Sequence, residues 1–235
     1  MKRIKQIYEL LFNRYGSQGW WPVTPVNSCR TLEKKPLYSV GLKNEKQKFE
    51  IIVGAILTQN TSWKNVERAI INLNEKNLVD AAKLNNIDEK ELAKLIRPAG
   101  YYNQKAKKLK IFASYLADNY NKSLKRLFDK PMPALREELL NIYGIGPETA
   151  DSIILYAAEK PIFVVDTYTR RIFSHLGLIK QDASYDDIQK LFMESLDHNP
   201  ALFNEYHALI VEHAKIFYSK KPYGKADFLI NNLSN

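Results

Sequence analysis

The chain has a single cysteine, Cys29, among 235 residues. One thiol cannot build a disulfide framework, a thiolate zinc site or an iron–sulfur cluster within the chain, and it suits a reducing compartment. Long apolar runs are missing too: nothing approaches the ~20 residues that a bilayer span needs. The basic N-terminus is no signal peptide, because Ile4, Ile7, Tyr8 and Leu11 are spaced as a helix stripe with Lys5 and Glu9 between them. Glycine and proline are scarce, at 9 and 10 residues, and hydrophobic residues make up 45%, so the chain is globular rather than disordered. A soluble, intracellular protein is expected. Negative charge is the sign in short supply: 26 acidic residues against 35 Lys and Arg leave +9. Such an excess favours a polyanionic partner, nucleic acid first, although lysine-rich proteins that never touch nucleic acid are common.

No alternation of period two persists, which argues against a sheet; the spacing predicts helix nearly throughout. Phe49, Ile52, Val53 and Ile56 follow the i, i+3, i+4, i+7 rule, as do Leu109, Phe112, Ala113 and Leu116. Val66, Ile70 and Leu73 mark another helix, opened by Thr61 or Ser62. Asp88 with Glu91 and Ser184 with Asp187 resemble capping boxes before the next apolar stripes. Tyr206, Ile210, His213 and Phe217 place a long helix near the C-terminus. Residues 16–48, with Gly16, Gly19, Pro22, Pro25, Pro36 and Gly41, read as a long irregular connection, and residues 220–225 as a basic loop.

The most informative segment runs from Leu135 to Leu178. Leu135, Leu139 and Ile142 end a helix, Tyr143-Gly144-Ile145-Gly146 turns the chain, and Pro147 opens a second helix whose buried face is Ala150, Ile153, Ile154 and Ala157. Glycines at 144 and 146 permit a tight turn, and amides at a helix start make a phosphate site that is blind to sequence. The apolar run Pro161–Val165 then delivers Asp166 to a helix carrying Arg170 and Arg171. Taken alone, Asp166 reads first as an N-cap. A carboxylate at a phosphate-binding surface also stabilises positive charge on a sugar whose base is departing, and the two roles are compatible.

The run L-x-x-I-Y-G-I-G-P-E-T-A-D followed by V-V-D-T-Y-T-R-R resembles the helix-hairpin-helix DNA glycosylases of the endonuclease III type. Leu57-Thr58-Gln59-Asn60-Thr61 and Ala99-Gly100-Tyr101-Tyr102-Asn103-Gln104-Lys105-Ala106 match two further segments of that family, so the resemblance spans about residues 49–178. It implies an all-α fold of two lobes with DNA in the cleft between them: a central lobe over 46–160, and a second, discontinuous lobe made of 1–45 plus 161–235. It implies that Asp166 is the essential carboxylate and that Gln59 fills the gap left by a flipped base. Gly144, Ile145, Gly146, Thr149 and Arg170 become the expected DNA contacts, with a monovalent cation at the hairpin as in relatives. Double-stranded DNA with a damaged base is the partner implied, and a monomer in the cytoplasm, associated with the nucleoid and not with membrane, is expected.

Two departures refine this. Bifunctional members carry a catalytic lysine where this chain has Glu148, and a carboxylate forms no Schiff base, which implies a monofunctional enzyme without lyase activity. Many members also carry a C-terminal four-cysteine cluster, whose first three positions correspond here to Phe217, Gly224 and Asp227, so no iron–sulfur cofactor is expected. Trp20-Trp21-Pro22, L-T-Q-N-T, R-P-A-G-Y-Y-N-Q-K-A-K and the hairpin Glu together are most similar to the 3-methyladenine glycosylases of the superfamily. An N3-alkylated adenine nucleotide is cationic and stacks on indole faces, which makes Trp20, Trp21, Pro22 and Trp63 the candidate pocket walls. Each tryptophan is also a candidate core anchor. His175, His198, His207 and His213 share no metal spacing and read as structural. A glycosylase for an oxidised or mismatched base, and a non-catalytic helix-hairpin-helix module, are the alternatives.

Overall fold

The computed structural model describes residues 2–25, 36–38 and 43–233; Cys29 and Gly41 lie outside them. Among the described residues the regular structure is helical, with one isolated bridge pairing Val23 to Leu37. The chain divides into two compact units, Trp21–Ala158 and Met1–Trp20 with Glu159–Asn235.

In the first unit, α2 (Glu45–Thr58) is the central helix. It opens on a complete capping box between Asn44 and Gln47 and is buried on all sides from Phe49 to Leu57. A helix this enclosed needs one thin spot, and Gly54 supplies it: a Cβ there would stand 2.9 Å from Trp21 Cζ2. Around α2 pack α3 (Trp63–Glu75), α6 (Tyr102–Tyr120), α7 (Leu124–Phe128) and α9 (Pro147–Ser152). Short helices α4 (Ala81–Asn86) and α5 (Glu89–Leu95) lie on α6, each capped by an aspartate, Asp80 or Asp88. Helix α8 (Met132–Leu140) leads into the hairpin.

Two local departures from periodicity stand out. Helix α8 stops at Leu140, leaving Ile142 in the turn, where its carbonyl accepts from Ile145 N at 3.1 Å. The helix after Pro147 does not stay regular: from Ile153 to Ala157 it widens into a π turn, closed by Ala158 N on Ile153 O at 3.0 Å. The apolar spacing of the segment fits both windings, because the whole Ile153–Ala157 stretch is buried and no polar face sets the phase.

The second unit is built on α1 (Lys2–Tyr15), α10 (Thr167–His175), α11 (Tyr185–Ser195), α12 (Pro200–Phe217) and α13 (Phe228–Leu233). Its core is aromatic: Phe163 stacks on Phe192 at 4.0 Å, and Phe173, Phe203 and Tyr206 meet them edge-on. The extended run before Asp166 is fixed by this packing and by Gln189 Nε2 donating to Phe163 O at 2.6 Å. No described helix is long and apolar enough to cross a membrane.

Candidate active site and hairpin

The hairpin is held at its ends and closed by its own amides. Asp151, fully buried on α9, accepts from Arg136 of α8 at 2.8 and 3.3 Å, pinning the two helices. Gly144 has φ +85, a left-handed value that favours glycine, and its Cα lies over the stem of Lys108, where a Cβ would come within 2.5 Å of Cγ. Gly146 differs from the expectation: its φ of −93 is open to any residue, and a Cβ there would meet nothing within 4 Å. Its glycine is therefore not needed by the turn itself. Ile145 is buried and anchors the loop, while Gly146, Pro147 and Glu148 are exposed.

Gln59 is turned onto this hairpin. Its Nε2 donates to Gly144 O at 3.0 Å and to Thr149 Oγ1 at 2.9 Å, and its Oε1 accepts from Lys108 Nζ. Behind it, buried Lys105 donates to Leu57 O and Ala99 O, both at 2.8 Å, tying the end of α2 to the Arg97–Ala99 turn. Burial, with Lys108 nearby, pushes the Lys105 ammonium down to about 8. A monovalent ion at the hairpin would be held by carbonyls; those of Ile142, Gly144 and Gly146 accept from Ile145, Gln59 and Ala150, and each oxygen has a second lone pair.

In the second unit Asp166 is the N-cap of α10. Its Oδ1 accepts from Thr169 N at 2.7 Å and Thr169 Oγ1 at 2.8 Å. Oδ2 takes no part in the cap and stands 3.8 Å from His207 Nε2. A capping oxygen and an uncapped one thus coexist in one side chain. Arg170 donates to Ala183 O and Arg171 to Tyr218 O, so both guanidinium groups brace loops of their own unit.

A model of the HhH-GPD superfamily of base excision DNA repair proteins matches residues 53–198. The chain belongs to this superfamily. A Methanocaldococcus jannaschii protein named "Putative DNA repair glycosylase" is 47% identical over 93% of this chain and 90% of its own length. Endonuclease III of Sulfolobus acidocaldarius is 31% identical over 74% of this chain and 76% of its own. Among solved structures, the H. pylori 3-methyladenine DNA glycosylase bound to 1,N6-ethenoadenine is 27% identical, with a TM-score of 0.68 over 91% of this chain and 96% of that one. An endonuclease III–DNA complex gives 0.74 over 98% and 93%, at 19% identity, a likeness of fold.

In this base excision glycosylase the candidate pocket residues are unequal. Trp21 is only 5% exposed and packs edge-on to Trp63 at 5.4 Å and against Tyr156 at 5.1 Å, as a core anchor does. Trp63, at the start of α3, is half-buried, as is Trp20; Pro22 is buried. The Trp21-Pro22 segment is held from below by Glu50, whose Oε1 accepts from Thr24 N at 2.7 Å and whose Oε2 accepts from Asn74 at 3.2 Å. Burial raises the Glu50 carboxyl above its ordinary range, the Asn74 and Thr24 hydrogen bonds only partly offsetting it.

The positions corresponding to a cluster-bearing loop hold a polar staple instead. Asp227, 2% exposed, accepts from Tyr218 OH at 2.6 Å and Leu229 N at 2.9 Å and lies 3.1 Å from His213 Nε2. Tyr15 OH meets the other ring nitrogen of His213 at 2.9 Å. His207 and His213 are thus separated in role as well as in face. The neighbour of Asp166 is the residue that the sequence did not reveal: spacing tests for metal sites ask histidines to pair with one another, and His207 pairs with an aspartate on another helix.

Proposed function

We propose that this glycosylase is monofunctional and releases alkylated bases, 3-methyladenine first, from duplex DNA. The observation that carries the reading is Asp166. Its capping bonds fix the carboxylate, and Oδ2 is left to stabilise positive charge. As the C1′–N bond of the alkylated nucleotide breaks, the electron pair leaves with the base, which departs neutral. The sugar cation then takes a water at C1′, and the water gives up a proton. Hairpin amides around Gly144 and Gly146 grip phosphate, Thr149 and Arg170 are further DNA contacts, each in its own unit, and Gln59 takes the place of the flipped nucleotide. Trp63 offers an indole face to the cationic base, with Trp21 packed edge-on against it, and Trp20 and Pro22 are the further candidate pocket residues. The 3-methyladenine glycosylase of H. pylori, similar over nearly the whole chain, supports the lesion class, and Glu148 in the lysine's place supports hydrolysis without a Schiff base.

A base-release assay on duplexes bearing alkylated, oxidised and mismatched bases tests it. Free 3-methyladenine and an intact abasic strand are expected, with no borohydride-trapped adduct. Asp166→Asn keeps a capping side chain but loses the charge, so folding and duplex binding should stay near wild type while single-turnover release falls ~100- to 1,000-fold. Release confined to an oxidised or mismatched base, or a trapped adduct, would replace the reading.

A further inference from the structure

The surroundings of Asp166 Oδ2 are unusual. His207 lies in the body of α12 with its side chain 11% exposed, 3.8 Å from a carboxylate 15% exposed. At 3.8 Å the pair is in electrostatic contact and too long for a direct hydrogen bond. Other charges near α12 are directed elsewhere. Glu205 accepts from Gln18 N and Ser17 Oγ, Arg170 and Arg171 of α10 donate to backbone carbonyls, and Tyr15 of α1 meets His213. Tyr8 of α1 packs on Tyr206, whose hydroxyl donates to Ile4 O. Asp166, from the start of α10, is the charged group that acts on the His207 ring.

The chemistry assigned to Asp166 needs its negative charge uncancelled. An imidazolium at this distance would form an ion pair in a poorly solvated setting and neutralise the field felt by the sugar cation. A neutral imidazole does not; it fills the space, excludes water and restricts the carboxylate to the rotamer the cap prefers. We propose that His207 is a positioning residue for the glycosylase reaction, a neutral imidazole that sets the free oxygen of Asp166 and silences it when protonated. The inference rests on the reading of Asp166 as the reacting carboxylate. Burial supports it by lowering the imidazole below its ordinary 6.5, the attraction of Asp166 opposing that only in part.

The test is the pH profile of single-turnover base release, at saturating enzyme, for wild type, His207→Gln and Asp166→Asn. Wild type should lose rate about tenfold per pH unit below the imidazole's pKa. His207→Gln, which cannot be protonated, should be slower than wild type at neutral pH and lose this pH dependence. A His207→Gln profile that superimposes on wild type, with Asp166→Asn inactive, would overturn the inference and leave the proposed function standing. An Asp166→Asn enzyme as fast as wild type would remove both. Should the Gln variant fail to fold, NMR titration of the imidazole decides: its pKa should fall in Asp166→Asn relative to wild type, and an unmoved value would sink the pairing.

Discussion

At the scale of single residues, a buried lysine carries a cost that the fold must offset. Lys105 sits 2% exposed, its ammonium spent on two carbonyls, one of them at the open end of α2. Those carbonyls are among the groups that a helix end cannot satisfy by itself, and a cation there also meets the negative end of the helix dipole. Lys105→Met keeps the stem and removes the donor, so it should cost about 1–3 kcal/mol of stability for carbonyls left unpaired. The pH dependence has a definite sign. Between about 8, the folded value, and the ordinary 10.5, the unfolded chain holds a proton that the folded chain has shed, so wild-type stability rises with pH across that window. Denaturant unfolding of both proteins at pH 7 and 10 should therefore show a larger gap at pH 10. A gap that is constant or shrinks would mean that the ammonium stays charged in the fold.

At the scale of elements, the hairpin separates two glycines that look alike in sequence. Gly144 is required by a positive φ and by the Lys108 stem beneath it, whereas Gly146 is extended with open space at its Cβ position. Gly144→Ala should destabilise the protein by about 1–2 kcal/mol, the penalty for a side chain in the left-handed region. Gly146→Val should melt near wild type and yet weaken binding to lesion and undamaged duplex alike, since a phosphate grip carries no sequence information. Melting curves beside duplex titrations distinguish the two, and a Gly146→Val defect confined to lesion DNA would move that residue into the base pocket. The long helices were legible because a one-sided stripe repeats over several turns, as in α1 and α6. Helices α4 and α7 are too short to show a stripe, and α2, announced by Phe49, Ile52, Val53 and Ile56, is buried all round, so its spacing marked no exposed face. The π turn was hidden for the same reason: an apolar segment without a polar face has no phase to read. Asp166 as cap and candidate carboxylate was legible from local order, but Gln59 docking on Gly144 and His207 facing Asp166 are contacts between distant segments, which no local pattern encodes.

At the scale of the whole molecule, the question is what a charge of +9 does for a glycosylase that must find rare lesions. Part of the basic charge is committed to structure: Lys105, Arg136, Arg170 and Arg171 each donate to a carbonyl or carboxylate within their own unit. Other lysines are exposed, among them Lys107 on α6, 5.5 Å over the exposed ring of Tyr143 at the hairpin, and Lys220, Lys221 and Lys225 in the loop stapled by Asp227. These are the side chains that can displace counterions from a duplex, so affinity for undamaged DNA should be set by salt. If about six phosphates are contacted, binding should weaken on the order of 10³-fold between about 50 and 200 mM salt. Each lysine that truly touches phosphate should lower the log–log slope by about 0.9 when replaced, whatever the sequence or lesion. Lys107→Ala and Lys221→Ala, titrated against one undamaged duplex over that range, test hairpin and loop separately. A slope unchanged in Lys221→Ala but reduced in Lys107→Ala would place the electrostatic footprint on the hairpin side alone, and the staple at Asp227 would then serve stability only. Reductions in both variants are expected, because the staple fixes a loop whose lysines are exposed to solvent.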